Sequence, residues 1–337
     1  MPGKVSPDDL LAHVFDRTGA DADETILQGP ADGEDAAAID WPGGTLVVSS
    51  DPISLAASQV GSLGVYVACN DVAASGADPR WLTVVILLPD ESVPIETITT
   101  DLDTAASEVG ASIVGGHSEY VDQLERPLVS LTAMGAAERF VPTGGAEPGD
   151  RVIVTKAAGV EGTAILAADF GDELDVDEAT RNRAESFLEE ISIVPDARIV
   201  REFATAMHDP TEGGVAAGLL ELARASDARL EVDADAIPVR GETAQLCAAA
   251  DVDPLRIFGS GALLATVPDD SAEACLQALS DAGIEAESIG VVRNRDTDTD
   301  PDPDGEPALD LGGETITEPI QDDLYPLWEA ADAAQDE

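Results

Sequence analysis

Apolar positions recur along this chain with two different periods, and the switches between them set out its elements. After Pro7, Leu10, Leu11, Val14 and Phe15 fall at helical spacing and predict a short opening helix. A Gly/Pro/Asp-rich loop over 28–35 leads into two alternating segments, DAAAID and TLVVSSDP, which predict paired strands turning at Pro42-Gly43-Gly44. The next helix is expected over 62–77, with Ser62 as N-cap and Gly76 near its end. WLTVVILLP predicts a buried strand, Pro94 opens a helix through Val109, and strands follow at 112–121 and 127–138.

The stretch VPTGGAEPGD (141–150), with two prolines, three glycines and no period, is the expected domain boundary. Beyond it come the strand RVIVTK, a helical region over 160–205, the loop HDPTEGG and a helix over 214–226. From LEVDA to EAESIGVV strand and helix patterns alternate, and 294–307 is an acidic loop without packing residues. The expectation is a two-domain α+β or α/β protein: 1–143, 148–293, and a C-terminal extension over 294–337.

Charge changes this picture most. The 337 residues carry 68 Asp and Glu against 17 Lys and Arg, a formal net charge of −51, spread along the whole chain. Such self-repulsion weakens a compact state in dilute buffer, and at about 1 M salt the Debye length falls to roughly 3 Å. The only lysines are Lys4 and Lys156. An acidic, lysine-poor surface around an ordinary apolar content predicts a protein adapted to molar salt, of the kind a halophilic archaeon makes. No basic patch is present to neutralise phosphates, so no nucleic-acid partner is expected. No apolar run approaches the roughly 20 residues of a membrane span, and the N-terminus lacks a signal-peptide core; a cytoplasmic protein without membrane association is expected. Cys69, Cys247 and Cys275 are isolated, and His13, His117 and His208 form no zinc pattern.

Among so many acids a single Asp is by default solvated surface. Four stand apart because apolar or glycine-rich sequence surrounds them. Asp35 enters a strand of tiny residues, and Asp51 ends an apolar strand before Pro52. Asp71 follows Asn70 inside a helix that is small or apolar all round, and Asp209 lies in the turn His208–Gly214. A carboxylate buried in such a helix needs a partner, and a metal ion would serve. Gly115-Gly116-His117 and Gly213-Gly214 are the accompanying glycine-rich turns, whose amides can approach an anion. Carboxylates with such turns suggest Mg²⁺ bridging to phosphate oxygens, although neither GxxxxGK[ST] nor a strand-borne GxGxxG occurs.

The order GEDAA (33–37), SSDP (49–52), CNDVAASGADPRW (69–81), GGHSE (115–119), PGDRVIVTK (148–156) and MHDPTEGGVA (207–216) resembles the AIR synthase-like (PurM-like) superfamily, in its HypE-like, AIR synthase-related branch. The resemblance runs over roughly residues 5–292. It implies an N-terminal domain whose strands form a barrel-like sheet with a second subunit, a homodimer, and a C-terminal α+β domain, with ATP between them. By position Asp35, Asp51, Asp71 and Asp209 match metal-binding residues. Asn70, Gly115, Gly116, His117, Gly213 and Gly214 match nucleotide-binding ones, and Lys156, His117 and His208 are the catalytic candidates. The implied function is Mg²⁺- and ATP-dependent activation of a small-molecule oxygen through a phosphorylated intermediate. The alternatives are a small-molecule kinase like thiamine-monophosphate kinase and a non-catalytic nucleotide-binding maturation or regulatory protein. HypE proteins end in a cysteine that carries the carbamoyl group. This chain ends Ala-Gln-Asp-Glu, so carbamoyl-to-cyanide chemistry is not expected; His208 stands where HypE proteins commonly have Arg.

Overall fold

A computed structural model describes residues 5, 7–15, 17–19, 23–31, 33–53, 59–295 and 306–335. Most of the acidic loop expected at 294–307 lies outside the described residues. The first half runs α1 (Pro7–His13), β1 (Ile26–Gln28), β2 (Ala37–Trp41), β3 (Gly44–Ile53), α2 (Val60–Ala74), β4 (Asp78–Leu88), α3 (Ile95–Val109), β5 (Ser112–Tyr120) and β6 (Leu128–Ala137). Its six strands form one sheet in the order β1-β2-β3-β6-β4-β5. Alternation of buried and half-buried positions along β3 and β6 gives the sheet one covered face. Upon it lie α2 and, beside α2, α3. Gly64 permits that contact, because a Cβ there would stand 2.6 Å from Leu131 Cδ1.

The second half runs β7 (Arg151–Thr155), α4 (Val160–Ile165) continuing into one π-helical turn, α5 (Glu178–Glu185), α6 (Val194–Val200), β8 (Ala206–His208), α7 (Gly214–Ala225), β9 (Arg229–Val232) and α8 (Gly241–Ala250). There follow β10 (Leu264–Val267), α9 (Asp269–Asp281), β11 (Ala286–Arg293), β12 (Ala308–Leu311), β13 (Glu314–Ile316) and α10 (Tyr325–Gln335). Seven strands form the second sheet, in the order β13-β12-β9-β11-β7-β10-β8. The architecture is the expected two-unit α+β fold. One apolar cluster continues from the first sheet through α2 and α3 into α6, α9, β7 and β10.

Local expectations are corrected in four places. α2 starts at Val60 behind Gln59, which sits at φ 54°, and the Ser62 hydroxyl donates back to the Gln59 carbonyl at 3.1 Å instead of capping. Gly115-Gly116-His117 is not a turn but the middle of β5. There a Cβ on Gly116 would lie 1.9 Å from the Val84 carbonyl oxygen, so only glycine fits beside β4. The helical region 160–205 is several short pieces, not one run. The expected C-terminal extension supplies β12 and β13, which join the second sheet through a parallel pairing of β12 with β9. The first sheet is open within one chain, and β5 is its edge, with all nine residues exposed.

Candidate functional site

Four acids far apart in sequence converge where the two units meet. Asp51 reaches the site from β3 and Asp71 from α2, while Asp35 lies just before β2 and Asp209 just after β8. Ser49, two residues before Asp51 and so on the same strand face, donates to Asp71 Oδ2 at 2.5 Å and lies 3.0 Å from Asp51 Oδ2. Asp71 is 8% exposed and Asp209 2%. Burial pushes the Asp71 carboxyl well above the usual carboxylate range, with the charges of Asp209, Asp51 and Asp35 adding to it. Burial raises Asp209 in the same way, with Asp35 and Asp51 pushing further and the His208 charge opposing. Both carboxylate oxygens of Asp209 are buried without a hydrogen-bond partner. A set of acids this close, one of them orphaned, needs positive charge from outside the chain.

His208 is the cation the chain does supply. Its Nδ1 lies 2.8 Å from Asp35 Oδ1 and its Nε2 2.8 Å from Glu221 Oε2, on α7. Burial alone would lower the His208 pKa, but Asp35 and Glu221 outweigh it and hold the imidazolium well above its ordinary value. The clamp crosses the units, since Asp35 belongs to the first and Glu221 to the second. Glu34 ties the first unit to the connecting segment, accepting the Thr143 and Gly144 amides at 3.3 Å each. Arg198 and Arg201 make a second crossing tie by pairing with Asp78 at 2.7 and 3.2 Å.

The other candidates separate from this cluster. Asn70 is wholly buried, and its amide bonds the main chain of Ile191 and Ile193. Lys156 donates to the carbonyls of Glu190 and Ser192 and pairs with Asp196. His117 is exposed on β5, 3.4 Å from Glu119. Gly213 donates its amide to Asp322 Oδ2 at 2.8 Å, and Gly214 donates to the Thr211 carbonyl at 3.1 Å. Sequence reasoning missed Ser49 and Glu221. The period of two in SSDP could have found Ser49, whereas no local signal ties Glu221 to His208.

The donor set is all oxygen around a shared negative field, which suits a hard divalent cation. Among the described residues no three Asp, Glu, His or Cys side chains already surround a point where an ion would sit. Magnesium is commonly held by one or two carboxylates, with waters and phosphate oxygens completing its octahedron. The residues fit that use, with Asp209, Asp71 and Asp51 as holders and Asp35 partly engaged by His208.

Comparison with known proteins shows the family of the chain. The model of the N-terminal domain of AIR synthase related proteins matches residues 33–137, and that of the C-terminal domain matches 147–300. The carbamoyl dehydratase HypE of Cupriavidus necator is 32% identical over 281 residues, 77% of each chain. That of Azotobacter vinelandii is 32% identical over 276 residues, covering 77% of this chain and 78% of the relative. The crystal structure of the hydrogenase maturation protein HypE in complex with ATP superposes with a TM-score of 0.68 at 23% identity, over 94% of this chain and 96% of that one. This chain belongs to the AIR synthase-related family, with HypE-like homologues. Among the described residues no helix is long and apolar enough to cross a membrane.

Proposed function

We propose that the protein is a Mg²⁺- and ATP-dependent enzyme that activates a small-molecule oxygen by phosphorylating it. The observation that carries this reading is the convergence of Asp35, Asp51, Asp71 and Asp209 from both units, with both Asp209 oxygens buried and unpartnered. In the proposed reaction the γ-phosphoryl passes from ATP to the substrate oxygen and ADP leaves. Departure of phosphate then carries that oxygen away. Asp209, Asp71 and Asp51 would hold a magnesium ion, which when bound would offset the charge spread over the transferring group. The chain's part is positional. Ser49 fixes the Asp71 carboxylate, and His208 ties Asp35 to the second unit. The relatives' name, carbamoyl dehydratase, supports an amide-type oxygen as the acceptor.

We extend the proposal to a homodimer formed through β5. Ile113, Val114 and Tyr120 are 42%, 56% and 57% exposed along that edge, where a second copy would complete the sheet. Val114→Glu should give monomers by light scattering. The acidic surface is proposed as an adaptation to molar salt, so lowering KCl should lower the melting temperature steadily.

The deciding experiment is calorimetric titration of ATP in about 2–3 M KCl, where surface repulsion is largely screened, with Mg²⁺ and then with EDTA. Magnesium-dependent binding that Asp209→Asn abolishes supports the reading. ATP binding unaffected by EDTA or by the variant overturns it. Product analysis then separates the rivals, since phosphate transferred to added thiamine phosphate would replace the dehydratase-type reading with a kinase. Binding without turnover would leave a nucleotide-binding maturation protein.

A further inference from the structure

Helix α2 has a problem of specification. Thirteen of its fifteen residues are buried, apolar or small on every side, so no apolar stripe tells the helix which way to face. Turning it by one residue would exchange one set of small apolar contacts for another. Yet Asp71 must point at Ser49 and Asp209, and a one-residue turn, about 100°, would carry it elsewhere.

Asn70 removes that freedom. It is wholly buried, its Nδ2 donates to the Ile191 carbonyl at 3.0 Å, and its Oδ1 accepts the Ile193 amide at 2.9 Å. Two bonds of opposite sense to one short connecting segment fix both rotation and slide, and a displaced helix would orphan every group involved. The neighbouring Tyr66 hydroxyl donates to Glu108 of α3 at 2.5 Å, a partly buried contact.

The strip that receives Asn70 is itself held from the second sheet. Lys156 Nζ donates to the carbonyls of Glu190 at 3.1 Å and Ser192 at 2.7 Å, and stands 3.4 Å from Asp196 Oδ2. Asn70 therefore takes residues 191 and 193 while Lys156 takes 190 and 192. An ammonium with three radiating donors suits two carbonyls and a carboxylate, whereas a planar guanidinium fork does not. That accounts for a lysine at this position in a chain whose cations are otherwise arginines, Lys4 apart. Lys156 sits at φ 55°, a left-handed conformation uncommon for a residue with a side chain.

We propose that Asn70 and Lys156 are positioning residues: through the strip Glu190–Ile193 they set the rotation of α2, and with it the place of the Asp71 carboxylate opposite Asp209. The proposal rests on the magnesium–nucleotide reading above. It assigns both side chains to the metal site's geometry and neither to contact with ATP.

The test is titration of the full chain with Mn²⁺ in the presence of ATP, in high KCl and at a temperature where circular dichroism shows every variant folded. Free Mn²⁺ is read by its paramagnetic resonance. Asn70→Ala and Lys156→Met should each weaken Mn²⁺ binding about tenfold while keeping one site per folded chain. The double variant should lose little more than either single one, because both act through the same strip. A purely structural role would lower the melting temperature and the number of competent chains but leave the affinity of those chains unchanged, which overturns the proposal. Full additivity in the double variant overturns it as well. If the wild type shows no nucleotide-dependent Mn²⁺ site, the functional reading itself fails, an outcome distinct from wild-type binding that the variants retain.

Discussion

Two buried charged regions of the chain are built on opposite principles. Around Lys156 the ammonium meets a carboxylate and two carbonyls, so its charge and its donors are met inside the chain, although Asp196 Oδ1 is buried without a hydrogen-bond partner. Burial pushes Lys156 down and Asp196 up, each toward its neutral form, and their mutual attraction opposes both shifts. Around Asp71 and Asp209 like charges face one another, and His208, paired with Asp35, is the cation that answers them. The first region has its charge balanced by the chain itself. The second is left for something the chain does not contain.

That contrast predicts mutational effects of opposite sign. Lys156→Met leaves Asp196 uncompensated and should lower unfolding free energy by about 3–5 kcal/mol in urea titrations at high KCl, the usual cost of breaking a buried pair. Asp209→Asn removes charge from the unfinished region. Without Mg²⁺ it should raise stability by about 1 kcal/mol, and it should erase the stabilisation that Mg-ATP gives the wild type. A loss of stability in that variant without ligand would break the comparison.

A third region sharpens it through pH. Glu161 and Asp322 are buried beside the start of α7, and among the described residues neither pairs with a basic side chain. Burial pushes Glu161 up to about 7, against the Ser260 hydroxyl. Burial also pushes Asp322 to about 7, against the amides of Leu324 and Gly213 and with the charges of Glu161 and Glu212 adding. Between the ordinary carboxylate range and about pH 7 the folded chain thus holds protons that the unfolded chain has released. Stability should fall as pH rises through that window and level off above it. Glu161→Gln should flatten the profile, and a profile unchanged by the variant would sink the assignment. The smallest effect is expected from Ser49→Ala, which removes the hydroxyl donated to Asp71 and should cost about 1 kcal/mol by thermal unfolding.

How much of this was legible in the sequence follows the range of each interaction. β3 and β6 were readable because burial on one face imposes a period of two. The four acids were readable because each interrupts an apolar or glycine-rich run, a local contrast. The partners were not readable. Asn70 bonds residues 121 and 123 positions away, and His208 meets Asp35 across 173. No local rule encodes such pairings: Asn70 reads as a nucleotide-binding residue and Lys156 as a catalytic candidate, whereas in the structure Asn70 bonds main chain and Lys156 meets two carbonyls and Asp196. Strands β12 and β13, of four and three residues, are too short to show a period. Ser62 misled as a cap because the left-handed Gln59 had already begun the helix.

The scarcity of lysine gives the brace a practical use. With two lysines in the chain, an amine-acylating reagent has few targets. The Lys156 side chain is only 15% exposed, and its amine meets two carbonyls and a carboxylate. Acylation at that one site, followed by mass spectrometry of the peptide that carries it, becomes a clock for how often the two units loosen where they meet. No probe need be engineered, because a chain with two lysines already has a low background.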